Sequence, residues 1–582
     1  MKFQPRYLSY ALLLTYANEY YDGTIPPELL LTRLCLVPKK GDLTVVDNYR
    51  GIALTSVFLK LVNRMLLNRL LALEPFLRYN QNGFRVARGT SEQGLAMKFI
   101  TDAMKDGLPI AIAFVDFSKA FDSVTFDGVK AALAAFLVPT DMITVIMQCY
   151  TNHMQTIPDV GAEWRVETGV LQGDTLAPFL FVLLVDCVLD ASLDPTLGLN
   201  LTTANPPTEL PRSARLRAQA CDPDNYLTDL DYADDLAMPI LTHGDNVQRQ
   251  LRNLERGAAA VNLRLNVGPN KTEIIAPNSD HTPVTLSDGR NVDYTDKYTY
   301  LGQQPLDPMK EFSRRKGTCW RVIHKFDDVW KSTSAPFKLK LTLLQTLVVS
   351  AFTHGSHLWP ATAEFKRTID GAYAAMIRYC TWTPGQRSSR EMSHHQIYRF
   401  GKVPLLSSIV LLHRIRTLGH ALRHDQALVR CVIGDFYPPI RRDATGLAPR
   451  ARSSIQQLVI DTGLPREDWY AAAQHRDQWF ALGQHAAYLN EKQCWEAYGR
   501  RTLSRWTAVP RLLNKTLLRV AEFTAQTLLP PVPMIYSHTK TARVSYPRTY
   551  NTYDAFSSPP RISLQSPRAS VRILRRPPPP PT

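Results

Sequence analysis

What this sequence lacks narrows its class first. Only eight of the 582 residues are cysteine: Cys35, Cys149, Cys187, Cys221, Cys319, Cys380, Cys431 and Cys494. No two of them form a C-x-x-C pair, which argues against a disulfide framework and against a cysteine zinc knuckle. The opening stretch MKFQPRYLSYALLLTYANEYYDG has a short apolar run and no small-residue cleavage pattern, so it makes a poor signal peptide. No apolar run reaches the roughly 20 residues that a bilayer requires. The greasiest segment, LAPFLFVLLVDCVLD (176–190), is interrupted by Asp186 and reads as a buried helix. No internal repeat is visible. The expectation is an intracellular protein, nuclear or cytoplasmic, neither secreted nor membrane-spanning.

Acid is the other scarcity. Lys and Arg number 68 against 52 Asp and Glu, a net charge of +16. Such a balance suits a polyanionic partner. It is most lopsided beyond residue 530, where Arg543, Arg548, Arg561, Arg568, Arg572, Arg575 and Arg576 face the single acid Asp554 among many prolines. That tail has too little apolar content to bury a core and reads as a disordered basic arm, or simply as solvated chain. The chain as a whole is 45 % apolar and long enough for several domains.

Periodicity then separates strands from helices. LTRLCLVPKKGD (31–42) and IAIAFVDF (110–117) are strand-like, as are LTDLDYADDLAMPIL (227–241) and TEIIAP (272–277). FLKLVNRMLLNRLLALEPFL (58–77), DGVKAALAAFLV (127–138) and NVQRQLRNLERGAAAVNL (246–263) have helical spacing. This alternation, with a hairpin in it, predicts an α+β domain with helices packed on one face of an antiparallel sheet. TTANPPTELPRSARLRAQACDPDN (202–225) reads as a loop insertion, and the patterns from about 310 to 430 and from about 450 to 528 are helical again.

Against this background the pair Asp234–Asp235 stands out. Successive strand residues point to opposite faces, so two adjacent aspartates converge only at a tight bend. YADD at the tip of a hairpin would achieve that. Asp116, after the buried-looking IAIAFV, offers a third carboxylate, expensive to bury unless a cation meets it. Three such groups could hold two Mg²⁺ ions about 3.5–4 Å apart, with Mn²⁺ as a substitute. Taken alone, an Asp-Asp pair reads as a solvated turn, and only the motifs around it favour a functional reading. GVLQGDTLAPFLF (169–181) adds a glycine-rich turn opening onto a helix: Gly173 leaves room for a ligand, and Gln172 offers it hydrogen bonds. The plainer reading is a helix N-terminus capped by Asp174 or Thr175. Lys39, Lys40 and Arg50, in VPKKGD and NYRGIAL, fall on a probable hairpin and could grip a triphosphate.

The ordered set VPKKGD, NYRGIALTSVFLKLVNRMLLNRL, QNGFRVARGTSEQ, FVDFSKAFDSV, GVLQGDTLAPFLF, YADD, NVGPNKTE and YTYLGQ resembles the reverse transcriptases of non-LTR (LINE-type) retrotransposons over residues 30 to about 305. Segments further on look RTE-like. The resemblance implies a right-hand polymerase fold: fingers over 1–110, palm over 111–305, helical thumb over 306–430, a helical region over 431–529 and the tail 530–582. It implies RNA-directed DNA synthesis with an RNA template, a DNA primer and dNTPs. Asp116, Asp234 and Asp235 would be the catalytic metal ligands, and Lys271 would protonate the leaving pyrophosphate. Phe121 would crowd a ribose 2′-hydroxyl. Lys39, Lys40 and Arg50 would face the triphosphate, with Gln172 and Gly173 by the nascent base pair. Arg85 and Arg88 would touch the template backbone, and Tyr300, Leu301 and Gly302 would grip the primer end. An endonuclease, usual in such elements, is not expected within this chain. Two other readings remain: an inactive RNA-binding remnant of a retroelement, and an intron-type maturase. His413, His420, His424 and Cys431 form a weak zinc candidate.

Overall fold

A four-stranded sheet, a six-stranded sheet and a two-stranded ribbon, β6 (Leu199–Asn200) with β7 (Tyr226–Leu227), organise the first 300 residues of the computed structural model. The structure describes residues 25–507 except 40–41, 46–47, 106, 158–159, 201–225, 280, 305, 382–392, 402, 424–461 and 465–467. The expected loop insertion and basic tail, together with Lys40, His424 and Cys431, therefore lie outside the described residues.

The smaller sheet is built on a hairpin, β1 (Leu31–Pro38) with β2 (Tyr49–Leu54), in register Val37 opposite Arg50. On the other side of β1 lies β4 (Met154–Ile157), parallel to it and itself paired with β5 (Ala162–Arg165). In the larger sheet, β3 (Ile110–Val115) is central, between β9 (Asp235–Leu241) and β10 (Glu273–Ile275), both antiparallel to it. β8 (Leu230–Tyr232) closes one edge, and β12 (Asn291–Tyr294) with β11 (Val284–Thr285) the other.

All six residues of β3 are buried, which is why IAIAFV is apolar without alternation. Ala111, Ala113 and Val115 face one core, shared with the helices Val57–Leu70, Phe126–Ala135, Thr140–Thr151, Ala177–Ser192 and Asn246–Ala259. Ile110, Ile112 and Phe114 face a second, smaller core with Met97, Ile100 and Met104 of the helix Thr90–Lys105. The sheet thus carries the expected helical layer on one face, and the opposite face of its centre is covered by one further helix. The fold is α+β.

The greasy segment forms the helix Ala177–Ser192, eleven of whose residues are buried. Asp174 accepts from Leu176 N just before it, Pro178 occupies its first turn, and Asp186 within it is paired with Arg78. Among the described residues, no helix is long and apolar enough to cross a membrane. Beyond residue 305 the described structure is helical, with a separate core around Phe312, Trp330, Phe352, Phe365 and Tyr373.

Candidate active site

The hairpin β8–β9 brings Asp234 and Asp235 to its tip. Tyr232 pairs with Asp235, so only Ala233 and Asp234 form the turn. A two-residue turn matched to strand twist needs a positive φ at its first position, normally supplied by glycine. Here Ala233 takes φ 60°, a conformation costly for a residue with a Cβ. The turn is held from beneath by Gln81, whose Oε1 accepts from Ala233 N at 3.0 Å and from Gly83 N at 2.7 Å. Gly83 is obligatory at this contact, since a Cβ there would lie 2.3 Å from Ala233 N.

The third carboxylate arrives through strand register. Val115 is opposite Leu236, so Asp116, the next residue, comes level with Asp235 across the β3–β9 pair. Asp116 is fixed by NVGPNKTE: Asn266 Nδ2 donates to its Oδ2 at 2.8 Å, Thr272 Oγ1 lies 3.3 Å from its N–H, and Lys271 Nζ lies 3.1 Å from Oδ2. The electrostatics show the three acids to be mutually unfavourable. Burial raises Asp234, Asp116 adds to this, and Arg50 opposes it. Burial, then repulsion from Asp234 and Asp116, pushes Asp235 up to about 6. Such a corner gains from a positive charge. Among the described residues, no three His, Cys, Asp or Glu side chains are drawn close enough to hold a metal ion. The Lys271 ammonium meets Asp116 instead. The donor set is nonetheless one of hard carboxylate oxygens whose charges repel, which suits a hard divalent cation.

Arg50 is exposed on β2 and within electrostatic reach of both Asp234 and Asp122. Burial raises Asp122, while Lys119, Lys39 and Arg50 draw it back. The basic hairpin is therefore turned toward the acidic corner. Gly173, at φ 119°, is locked against this hairpin: a Cβ would lie 2.4 Å from Ala53 O, and Gln172 O accepts from Ala53 N at 2.6 Å. Gln172 Nε2 reaches Asp122 Oδ1 at 3.5 Å, the limit of a hydrogen bond. Phe121 is half-buried, its ring stacked on Phe181 at 4.3 Å with the exposed Phe84 edge-on at 6.5 Å.

Other expected site residues are placed elsewhere. Arg85 is buried, its Nε 2.7 Å from Glu74 Oε1 and its other nitrogens donating to the carbonyls of Arg78, Gln81 and Glu74. The guanidinium thus donates four hydrogen bonds within the protein. Arg88 donates to Tyr79 O and Asn82 Oδ1, and burial lowers its pKa to about 10. Tyr300 is buried, and its hydroxyl donates to Leu230 O at 2.9 Å, so it buttresses β8 and presents no hydroxyl to a primer. Leu301 (φ 48°) and Gly302 (φ 72°) do form a tight turn between Tyr300 and Gln303. Its Gly302 carbonyl accepts from Arg314 and Arg315 of the helix Pro308–Lys325. Of the zinc candidates, His420 Nε2 contacts Ala87 O at 3.0 Å and Glu92 at 3.3 Å. Sequence reasoning passed over Gln81 and Asn266, which hold the turn and Asp116. Both lay inside quoted motifs, QNGFR and NVGPNKTE, and that proximity was their only signal.

Residues 37–304 match the family of reverse transcriptases (RNA-dependent DNA polymerases). Over 350 residues the chain is 26 % identical to a Pol polyprotein of the type-1 retrotransposable element R2 of Nasonia vitripennis, covering 57 % of this chain and 31 % of that polyprotein. It is also 26 % identical over 300 residues to the RNA-directed DNA polymerase from the mobile element jockey of Drosophila melanogaster, covering 50 % of this chain and 30 % of that protein. A transposon-derived protein of Caenorhabditis elegans is 23 % identical over 268 residues, 44 % of this chain and 95 % of its own length. The chain thus spans less than a third of the R2 and jockey proteins. Among solved structures, apo telomerase from Candida tropicalis is similar at 12 % identity and a TM-score of 0.33, over 73 % of each chain, a likeness too loose to define the fold. Residues 37–304 are a reverse transcriptase domain. Beyond that domain assignment, the chain is similar to proteins of the R2 and jockey mobile elements.

Proposed function

We propose that this chain is an RNA-directed DNA polymerase that adds deoxynucleotides to a DNA primer on an RNA template. The observation that carries the proposal is the meeting of Asp116 with the Asp234–Asp235 turn at one end of the six-stranded sheet, beside Arg50. In this reading the six-stranded sheet belongs to a palm over 111–305, the β1–β2 hairpin to fingers over 1–110, and the helices of 306–430 to a thumb.

Asp116, Asp234 and Asp235 would hold two divalent cations, Mg²⁺ or Mn²⁺. When bound, these supply charge neutralisation at the attacking and leaving oxygens. The chain's own residues do the rest. Arg50 and Lys39 draw the triphosphate onto the basic hairpin, with Lys40 beside them in sequence. Gln172 and Gly173 border the nascent base pair. Phe121, its ring braced by Phe181, walls the sugar and excludes a 2′-hydroxyl. Lys271 holds a proton for the leaving pyrophosphate oxygen. Leu301 and Gly302 line the primer end.

The test is extension of oligo(dT) on poly(rA) by purified protein with Mg²⁺ and dTTP, alongside a binding measurement on the same duplex. Incorporation supports the proposal. Binding without incorporation would overturn it in favour of an inactive RNA-binding remnant.

A further inference from the structure

Strand β8, which leads into the Ala233–Asp234 turn, carries a polar cluster that the polymerase reading does not use. The guanidinium of Arg78 serves three carboxylates at once. Nη1 and Nη2 donate to the two oxygens of Asp229 at 2.9 Å each, Nη2 also to Asp231 Oδ2 at 2.8 Å, and Nε to Asp186 Oδ1 at 3.2 Å. The side chains of Asp229 and Asp231 are wholly inaccessible, and that of Asp186 is 5 % exposed. One positive charge against three buried negative ones is an unstable count, because an unpaired buried charge is expensive.

The hydrogen bonds say where the imbalance is relieved. Both oxygens of Asp229 already accept from Arg78, and Oδ1 accepts from Thr228 Oγ1 as well. Asp231 Oδ1, by contrast, is buried with no hydrogen-bond partner among the described residues, and the shared donor Arg78 Nη2, bonded to Oδ2 of both Asp229 and Asp231, draws the two carboxyls together. Two ionised carboxylates are both acceptors, so such a pair needs one proton. Placed on Asp231, it gives the orphan oxygen a role as donor to Asp229. The electrostatics agree. Burial and the Asp229 charge push Asp231 well above the usual carboxylate range. Burial is the largest single influence on Asp229 too and works to raise it, but the Arg78 charge together with the hydrogen bonds to Asp229 outweighs burial and holds Asp229 below that range.

The cluster connects three parts of the molecule. Arg78 opens the segment that runs through Gln81, the acceptor of the Ala233 N–H. Asp229 and Asp231 lead into and lie within β8, and Asp186 belongs to the helix Ala177–Ser192. Main-chain bonds between Asn82 N and Asp231 O, and between Asp231 N and Asn80 O, stitch the first two together, and Gln93 Nε2 donates to the Asn80 and Asp231 carbonyls. We propose that Arg78 is a positioning residue for the Ala233–Asp234 turn, clamping β8 through an ionised Asp229 and a neutral, proton-donating Asp231. The inference deepens the polymerase reading and rests on it for its kinetic consequence, but the placement of the proton is testable without activity.

The experiment compares wild type with Asp231→Asn, Asp229→Asn and Arg78→Lys, by thermal melting and by primer-extension kinetics. Asparagine supplies an N–H donor and so replaces a protonated Asp231, but it cannot replace the charge of Asp229. Asp231→Asn should melt within a few degrees of wild type and keep kcat within about threefold. Asp229→Asn should lose stability clearly, whether or not enough folds to assay, since it leaves Arg78 short of its main counter-charge. Arg78→Lys keeps the charge and loses the fork. In its folded fraction kcat should fall about tenfold or more while KM for dTTP stays near wild type, as expected of a turn out of place. Equal melting losses in both asparagine variants, or a greater loss in Asp231→Asn, would overturn the proton assignment. A change confined to KM in Arg78→Lys, or no change in kcat, would overturn the positioning role. Failure of the wild type to extend a primer would count against the polymerase reading alone, because the melting comparison would still decide the proton's place.

Discussion

Lys271 Nζ lies 3.1 Å from Asp116 Oδ2, a pairing made possible by a loop between Leu265 and Thr272 that turns at Gly268 and Asn270. Both partners are partly exposed, so the pair adds little to stability, as is usual for surface ion pairs. In the proposed polymerase reaction its value would lie in keeping an ammonium beside the reacting phosphates. Lys271→Ala should therefore reduce the single-turnover rate of incorporation by about 100-fold, within the range for loss of a general acid. Lys271→Arg should recover part of it, and melting should hardly move in either variant.

Asp235 sits in the crowded acidic corner while part of its surface remains open to solvent. Burial and its acidic neighbours hold its pKa at about 6, above the ordinary 3.8. A raised native pKa means that the fold prefers the protonated form. This contribution to stability is full below about pH 4 and is lost as the pH rises through about 6. In the absence of divalent metal, Asp235→Asn should then melt above wild type near pH 7 and level with it near pH 4. Incorporation by the wild type should rise through the same interval, as Asp235 becomes free to bind a cation.

Phe121 is stacked on Phe181 and cannot easily swing aside. Phe121→Ala opens the space that a ribose hydroxyl would need. The preference for dTTP over UTP, measured as the ratio of kcat/KM values, should fall by roughly 10- to 200-fold, with dTTP use itself little changed.

Arg85 makes a prediction opposite to that of a nucleic-acid contact. Its guanidinium is spent on Glu74 and on three carbonyls. Arg85→Ala should cost about 3–5 kcal/mol of stability, as for a broken buried pair, and leave the salt dependence of duplex binding unchanged in the folded fraction. Loss of one exposed phosphate contact would instead reduce the salt slope by about one. Melting curves and a salt titration distinguish the two.

The contrast between Arg85 and Asp234 shows what sequence could reveal here. Strand β3 was legible because a short run of six apolar residues, rich in β-branched and aromatic side chains, suits a strand covered on both faces. The YADD hairpin was legible because two adjacent carboxylates converge only at a bend. Asp116 could be anticipated because a carboxylate closing a buried strand demands a partner. The bonds of Arg85 could not be read in advance because its partners are Glu74, eleven residues earlier, and backbone carbonyls, and a carbonyl leaves no trace in a sequence. Arg78, Gln81 and Asn266 were invisible for a related reason. Each is a polar residue in a polar stretch, and only tertiary pairing shows that it is spent inside the protein on Asp229, Ala233 and Asp116. The face of the sheet covered by the helix Thr90–Lys105 escaped notice too, because that helix's apolar spacing does not say which layer it joins.

The most direct measurement is incorporation of labelled dTTP on poly(rA)/oligo(dT) by wild type and by Asp234→Ala, with both proteins shown by melting to be folded. The account predicts Mg²⁺-dependent extension by the wild type, abolished by EDTA, and none detectable from the variant. Extension by Asp234→Ala equal to that of the wild type, or a folded wild type that binds the duplex and adds nothing to it, would contradict it.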